Sequence, residues 1–131
     1  MKRTTLLHAE LSEVIARLGH GDLLVIGDAG LPIPDGPRRI DLAVSANVPR
    51  FAEVLAAVLA EMQVERALIA DEFAPRNPTV HAELMRQLGR MPVATLSHEQ
   101  FKEATRGARA IVRTGEFSPY ANVILRAGVV F

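Results

Sequence analysis

Between Leu23-Leu24-Val25-Ile26 and the alternating stretch Ile40-Asp41-Leu42-Ala43-Val44 lies the segment Gly27-Asp28-Ala29-Gly30-Leu31-Pro32-Ile33-Pro34-Asp35-Gly36-Pro37. Its three prolines and three glycines in eleven residues deny it both a helix and a central strand, so it is a loop. The flanks read as strands. Four apolar residues in a row suit a strand buried on both faces, and alternation suits one half-buried. The loop therefore leaves the carboxyl end of a buried strand, which is where open α/β sheets hold their ligands. Asp28 stands at that point.

The rest of the chain alternates in the same way. Leu7, Leu11, Val14, Ile15 and Leu18 share one helical face, and Gly19 follows as a stop. Pro49 suits the first turn of a helix carrying Phe51, Val54, Leu55, Val58 and Leu59 on one side. Ala67-Leu68-Ile69-Ala70 reads as a strand running out into Asp71 and Glu72. Asn77-Pro78 predicts a cap and a first-turn proline for a helix through about Leu88. Val93 to Leu96 predicts a strand, and Ser97-His98-Glu99-Gln100 has capping-box spacing, which puts His98 in the first turn of a short helix. Ala110-Ile111-Val112-Arg113 and Val123-Ile124-Leu125 predict two more strands, too closely joined for a helical crossover. The expectation is a single three-layer α/β/α domain over residues 1–131, with a mixed, mostly parallel central sheet.

Composition narrows the function. Fifteen basic residues balance fifteen acidic ones, so no field draws in nucleic acid or an anionic membrane. No apolar run approaches the roughly 20 residues of a membrane span. Cys is absent, which removes disulfides, thiolate nucleophiles and sulfur-ligated metals and fits a cytoplasmic address. With no Trp and Tyr120 alone among tyrosines, a ligand has to be held mainly by hydrogen bonds. The four histidines lack metal-ligand spacing, so no metal site is expected, and Pro32 and Pro34 block the helix that a dinucleotide loop requires. His8 and His81 read as residues on the outer faces of their helices, and Asp71 and Glu72 as solvated charges.

Six residues have the chemistry for a polar ligand. His20, between Gly19 and Gly21, is either a proton-transfer group working near neutral pH or part of a surface turn. Asp28 either accepts hydrogen bonds from a ligand or steers a histidine, or bonds its own turn. His98 and Lys102 lie one helical turn apart on one face. Tyr120 and Asn122, in Ser118-Pro119-Tyr120-Ala121-Asn122, donate and accept, as a polyhydroxylated ligand demands. Taken singly, each spacing leaves the functional and the structural role open.

In sequence order the pieces are more specific. Arg17-Leu18-Gly19-His20-Gly21-Asp22, Asp28-Ala29-Gly30-Leu31-Pro32-Ile33-Pro34, Arg39-Ile40-Asp41-Leu42, Glu61-Met62-Gln63-Val64-Glu65, Ser97-His98-Glu99-Gln100-Phe101-Lys102, Arg113-Thr114-Gly115-Glu116, Ser118-Pro119-Tyr120-Ala121-Asn122 and Ala127-Gly128-Val129 together resemble the D-ribose pyranase family. The likeness runs nearly end to end, with Gly21 standing where members often carry Thr. It implies a cofactor-free isomerase that interconverts the pyranose and furanose rings of D-ribose. It implies His20 as proton donor and Asp28, His98, Lys102, Tyr120 and Asn122 as sugar-contacting residues. It also implies a ringed homo-oligomer, commonly a decamer, with sites near subunit contacts, working between a ribose importer and ribokinase. The related fucose mutarotases share the Gly-His-x-Asp feature, which leaves a fucose enzyme as one alternative; a non-catalytic, transport-associated sugar-binding protein using the same polar residues is another.

Overall fold

Six strands make one sheet in the computed structural model, which describes residues 1–131. They are β1 (Leu23–Gly27), β2 (Arg38–Asp41), β3 (Val64–Ala70), β4 (Val93–Leu96), β5 (Ala110–Arg113) and β6 (Val123–Ala127). Their order across the sheet is β2-β5-β1-β6-β3-β4. The β1–β5, β2–β5 and β3–β4 pairs are parallel, and β6 is antiparallel to both its neighbours, β1 and β3. Five strands thus point one way and β6 runs against them, inside the sheet. The mixed, mostly parallel sheet expected from the sequence is the one observed.

Strand alternation divides the apolar residues between two faces. Leu24, Ile26, Ala110, Val112, Val123 and Leu125 join a cluster of 23 buried residues, while Val25, Ile111 and Ile124 join one of seven. The larger cluster lies under α1 (Ala9–Arg17), α2 (Phe51–Leu59) and α4 (Pro78–Leu88), which contribute Leu11, Val14, Phe51, Val54, Leu55, Val58, Leu84 and Leu88. Each fully buried side chain of this kind is worth about 1.5–3 kcal/mol, so this face carries most of the burial energy. The opposite face is covered more thinly, by Phe101 of α5 (His98–Ala104) and by Leu31 of the proline loop. The loop that the sequence marks as irregular is therefore part of the roof of the sheet.

Several local details differ from the sequence expectations: Leu7, expected on the buried face of the first helix, precedes it and is exposed. Pro49 lies outside α2, whose N-cap is Arg50. The chain there is bound instead to the turn after β5, with Asn47 N–H donating to Gly115 O (2.6 Å) and Gly115 N–H to Pro49 O (2.8 Å). Asn77 precedes α4 but makes no side-chain cap, because its amide is engaged across the molecule. Val44 is exposed beyond the end of β2, since β5 ends at Arg113 and leaves it no ladder partner. A short helix, α3 (Phe73–Arg76), follows β3, with Phe73 buried against the ring of Phe51.

One irregularity interrupts the centre of the sheet. Val64 opposes Ala127 and Arg66 opposes Arg126, so β3 advances two residues where β6 advances one. Glu65 is the extra residue, a β-bulge. It accounts for the burial of Val64, Ala67 and Ile69 in the same cluster, which uninterrupted alternation forbids.

Candidate active site

The reversed direction of β6 decides which loops meet. The exits of β1, β3 and β4 and the entry to β6 all fall at one end of the sheet. Those four segments supply Asp28, Arg76, His98 and Tyr120, which line a cleft of about 360 Å³ together with Gly30, Leu31, Pro32 and Pro119. The volume lies in the range of small-molecule sites.

Asp28 is held from both sides. Its carboxylate accepts from Gly30 N–H (2.9 Å) and from the Asn122 amide (Nδ2–Oδ2, 3.1 Å), and its own N–H donates to Asn122 Oδ1 (2.8 Å). Burial pushes the Asp28 carboxyl above its ordinary value of 3.8, against the lowering pull of Gly30, Asn122 and His98. Asn122 is 1% exposed, so its amide acts on the cleft through Asp28. Gly27 makes the pairing possible, because a Cβ there would lie 2.8 Å from Asn122 Oδ1 and collide with Leu31.

Behind this pair the turn after β5 closes the back of the site. Thr114 donates from both N–H and Oγ1 to Gly27 O, at 2.9 and 2.8 Å, and Ala29 N–H donates to Glu116 O. Glu116 is 3% exposed, with Arg50 3.7 Å from its carboxylate.

His98 opens α5 inside the capping box that Ser97 and Gln100 form. Glu72, which reads from sequence as a solvated charge, instead accepts the His98 N–H at 3.0 Å and sets where this helix begins. The His98 ring meets Tyr120 edge to face, with centroids 5.0 Å apart at 88°, and stacks on Phe101. Its Nδ1 is buried without a protein partner. Tyr120 sits at φ 60°, an uncommon conformation for a non-glycine residue. The turn is fixed from α4's approach: Asn77 Nδ2 donates to Ser118 Oγ (2.9 Å) and to Pro119 O (2.8 Å).

Asp28, His98, Tyr120 and Asn122 are thus brought together. Lys102 stands one groove away, across the proline loop, where it lines a second depression with Pro32 and Pro34 and pairs with Glu99 at 2.7 Å. His20 is separated altogether. It precedes the strand that Asp28 follows, so the five residues of β1, about 16 Å of extended chain, lie between them. Within one protomer Asp28 does not steer His20; the partner of His20 is Glu65, at 2.9 Å. Arg76 escaped the sequence reading, since the helix that carries it is too short for periodicity to reveal. His8 and His81 are also tied into the fold. His8 caps α1 through Nδ1, and His81 packs edge-on against Phe73. No group of three or more His, Asp or Glu side chains is placed to hold a metal ion, and no helix is long and apolar enough to cross a membrane.

A polar cleft beyond the strand ends of a mixed sheet defines an α/β domain of the class whose ligand sites lie outside the carboxyl ends of the strands. The chain belongs to the RbsD / FucU transport protein family, whose model matches residues 1–130. It is 65% identical to the D-ribose pyranase of Paracidovorax citrulli and 61% identical to that of Symbiobacterium thermophilum, each alignment covering both chains in full. Among solved structures, RbsD of Bacillus subtilis complexed with D-ribose superposes with a TM-score of 0.97 at 44% identity, covering both chains completely. The fucose mutarotase of Streptococcus pneumoniae in complex with L-fucose follows at 0.79 and 28% identity, over 95% of this chain and 94% of that one.

Proposed function

We infer that this chain catalyses the interconversion of the pyranose and furanose forms of D-ribose, the activity of a D-ribose pyranase. The observation that carries the reading is the cleft in which Asp28, His98 and Tyr120 converge, on a backbone that superposes at 0.97 on a relative complexed with D-ribose. The fucose relatives lie further off, at 0.79.

The chemistry needs only proton transfer and orientation. On opening, the C1–O5 bond breaks, its electron pair stays on O5, and O5 takes a proton while the anomeric hydroxyl loses one to form the aldehyde. On reclosure O4 attacks C1, gives up its proton, and the aldehyde oxygen regains one. Protons balance, and ring size has changed. Asp28 and Tyr120 hold sugar hydroxyls, His98 lies over one side of the cleft, and Lys102 acts at the rim. His20 is the proton donor.

Because His20 lies at the far end of its own protomer, the reading includes a homo-oligomer in which a second copy supplies it. A head-to-tail contact sets one end of the sheet against the other and closes into a ring, here proposed as a decamer. Exposed apolar residues at both ends support that contact: Val48 and Phe117 by the cleft, and Val130 and Phe131 beyond β6. We further place the enzyme in the cytoplasm, residues 1–131 acting as one domain, between a ribose importer and ribokinase.

The test is NMR exchange between ribopyranose and ribofuranose signals, with native protein, with His20→Ala protein and with neither. Acceleration by the native chain, lost on substitution, is expected. Ribose binding with no acceleration would leave a sugar-binding protein, and faster exchange on L-fucose than on ribose would move the chain to the mutarotase branch.

A further inference from the structure

His20 does not stand on a bare turn. Its loop is anchored to the end of β6 by Gly21 N–H donating to Ala127 O and Ala127 N–H donating to Asp22 O, both at 2.8 Å. Asp22 closes the loop by accepting the Gly19 N–H (2.8 Å) and pairing with Arg109 at 3.0 Å. From that platform His20 Nε2 meets Glu65 Oε2 at 2.9 Å, while the other oxygen of the same carboxylate pairs with Arg126 Nε, also at 2.9 Å. Both oxygens are occupied, so the carboxylate is fixed in plane and rotation.

We propose that Glu65 is a positioning residue, which keeps the proton of neutral His20 on Nε2 and so makes Nδ1 the nitrogen that gives and takes protons in catalysis. Two independent observations carry this. The first is the contact itself: an ionised carboxylate only accepts, so the nitrogen facing it carries hydrogen and the other is left bare. The second is the bulge. Glu65 is the one extra residue in the central β3–β6 pair, and bulges of this kind re-aim a side chain beside functional groups. A regular strand that kept Ala67 and Ile69 in the large core would turn Glu65 toward that same core. With the bulge, Val64 takes the core position and Glu65 reaches the rim, where His20 is.

Stability does not account for the arrangement. The side chains of His20 and Glu65 are 57% and 36% exposed, and ion pairs so open to water contribute little to folding. What the contact does fix is which nitrogen is free. The charged neighbours facing His20 are Glu65 and Arg66 from β3 and Arg126 from β6, with Asp22 and Arg109 engaged with each other at the turn. Glu65 is therefore the sole acceptor among them directed at the imidazole.

This inference rests on His20 being the proton-transfer group, and the experiment separates the two. Ring ¹⁵N NMR on the native oligomer, with His20 assigned by the signal missing in His20→Ala, reads the tautomer. Saturation kinetics of ribose ring exchange read kcat and KM for native, Glu65→Gln and His20→Ala protein. The expected result is a proton on Nε2 in neutral native His20. In Glu65→Gln, kcat falls about 10-fold or more with KM unchanged, a smaller loss than the whole general-acid contribution that His20→Ala removes. A native His20 protonated on Nδ1 overturns the proposal. So does a Glu65→Gln protein that keeps native kcat, or changes KM alone, while His20→Ala is inactive. An active His20→Ala protein overturns the reading beneath it as well.

Discussion

Asn122 and Asp28 are locked in a reciprocal pair: the Asp28 N–H donates to the Asn122 side-chain oxygen at 2.8 Å, and the Asn122 amide donates back to the Asp28 carboxylate at 3.1 Å. The residues are far apart in sequence and meet because β1 and β6 are antiparallel neighbours. The pair fixes the carboxylate before any ligand arrives, as preorganised sites require.

Asn122→Ala removes both bonds and leaves the part-buried Asp28 N–H unpaired. It is expected to cost about 1–3 kcal/mol of stability and to weaken ribose binding more than it slows exchange at saturation. Thermal unfolding and calorimetric titration with ribose measure the two effects.

Gly27→Ala attacks the same pair from behind. Its new methyl would press on Asn122 Oδ1 and Leu31, in a site with no room to relax. The expected outcome is lower stability by about 1–3 kcal/mol with a raised KM, measured by denaturant unfolding and exchange kinetics.

Asn77→Ala tests the support under Tyr120. The substitution frees Ser118 Oγ and Pro119 O and leaves the strained Tyr120 conformation without its brace. KM for ribose should rise, and amide hydrogen exchange should quicken across 118–122 while α4 itself stays protected.

The raised Asp28 carboxyl has a pH signature. The folded protein holds this proton more tightly than the unfolded chain, so its contribution to stability is complete below 3.8 and is lost as pH rises through the higher folded value. Asp28→Asn lacks that loss. The melting temperature of the variant minus that of the native protein should therefore increase as pH climbs above 3.8. A difference that is flat or falls with pH in that window contradicts the shift.

The proposed sharing of the site between copies makes a mixing prediction. His20→Ala and Asp28→Asn proteins should each be inactive. After co-refolding at equal amounts, about a quarter of sites, ½ × ½, combine an intact His20 with an intact cleft. Exchange activity recovering to that order in the mixture is the expected result. No recovery in oligomers shown by mass spectrometry to be mixed would place both residues in one protomer's site.

Local signals in the sequence survive folding where their partners are also local. Val93–Leu96 and the Ser97–Gln100 capping box are found where they were expected, since each depends on a few consecutive residues. Asn77 is the counterexample: it precedes the helix as a cap residue would, but its Nδ2 donates to acceptors 41 and 42 residues away and its side chain makes no cap bond. The bulge at Glu65 is invisible in sequence because it exists only relative to β6. The site divides likewise. Asp28, Tyr120 and Asn122 are legible as polar residues at strand ends, while Arg76 and Glu72 depend on how the chain turns after β3. That His20 lies opposite Asp28 was implicit once a strand was assigned between them, although the family resemblance groups the two residues by role.

The last strand also has a consequence for how the molecule comes into being. Without β6, the chain has two separate ribbons, β2-β5-β1 and β3-β4, and a vacant slot where they should join. Residues 123–127 fill that slot, bringing Asn122 to one end of the sheet and Arg126 to the other in a single event. A nascent chain thus has neither a closed cleft nor an anchored His20 loop until residues 123–127 emerge. Chains cut before residue 123 are expected to be inert toward D-ribose, and their open strand edges to mark them for rapid clearance.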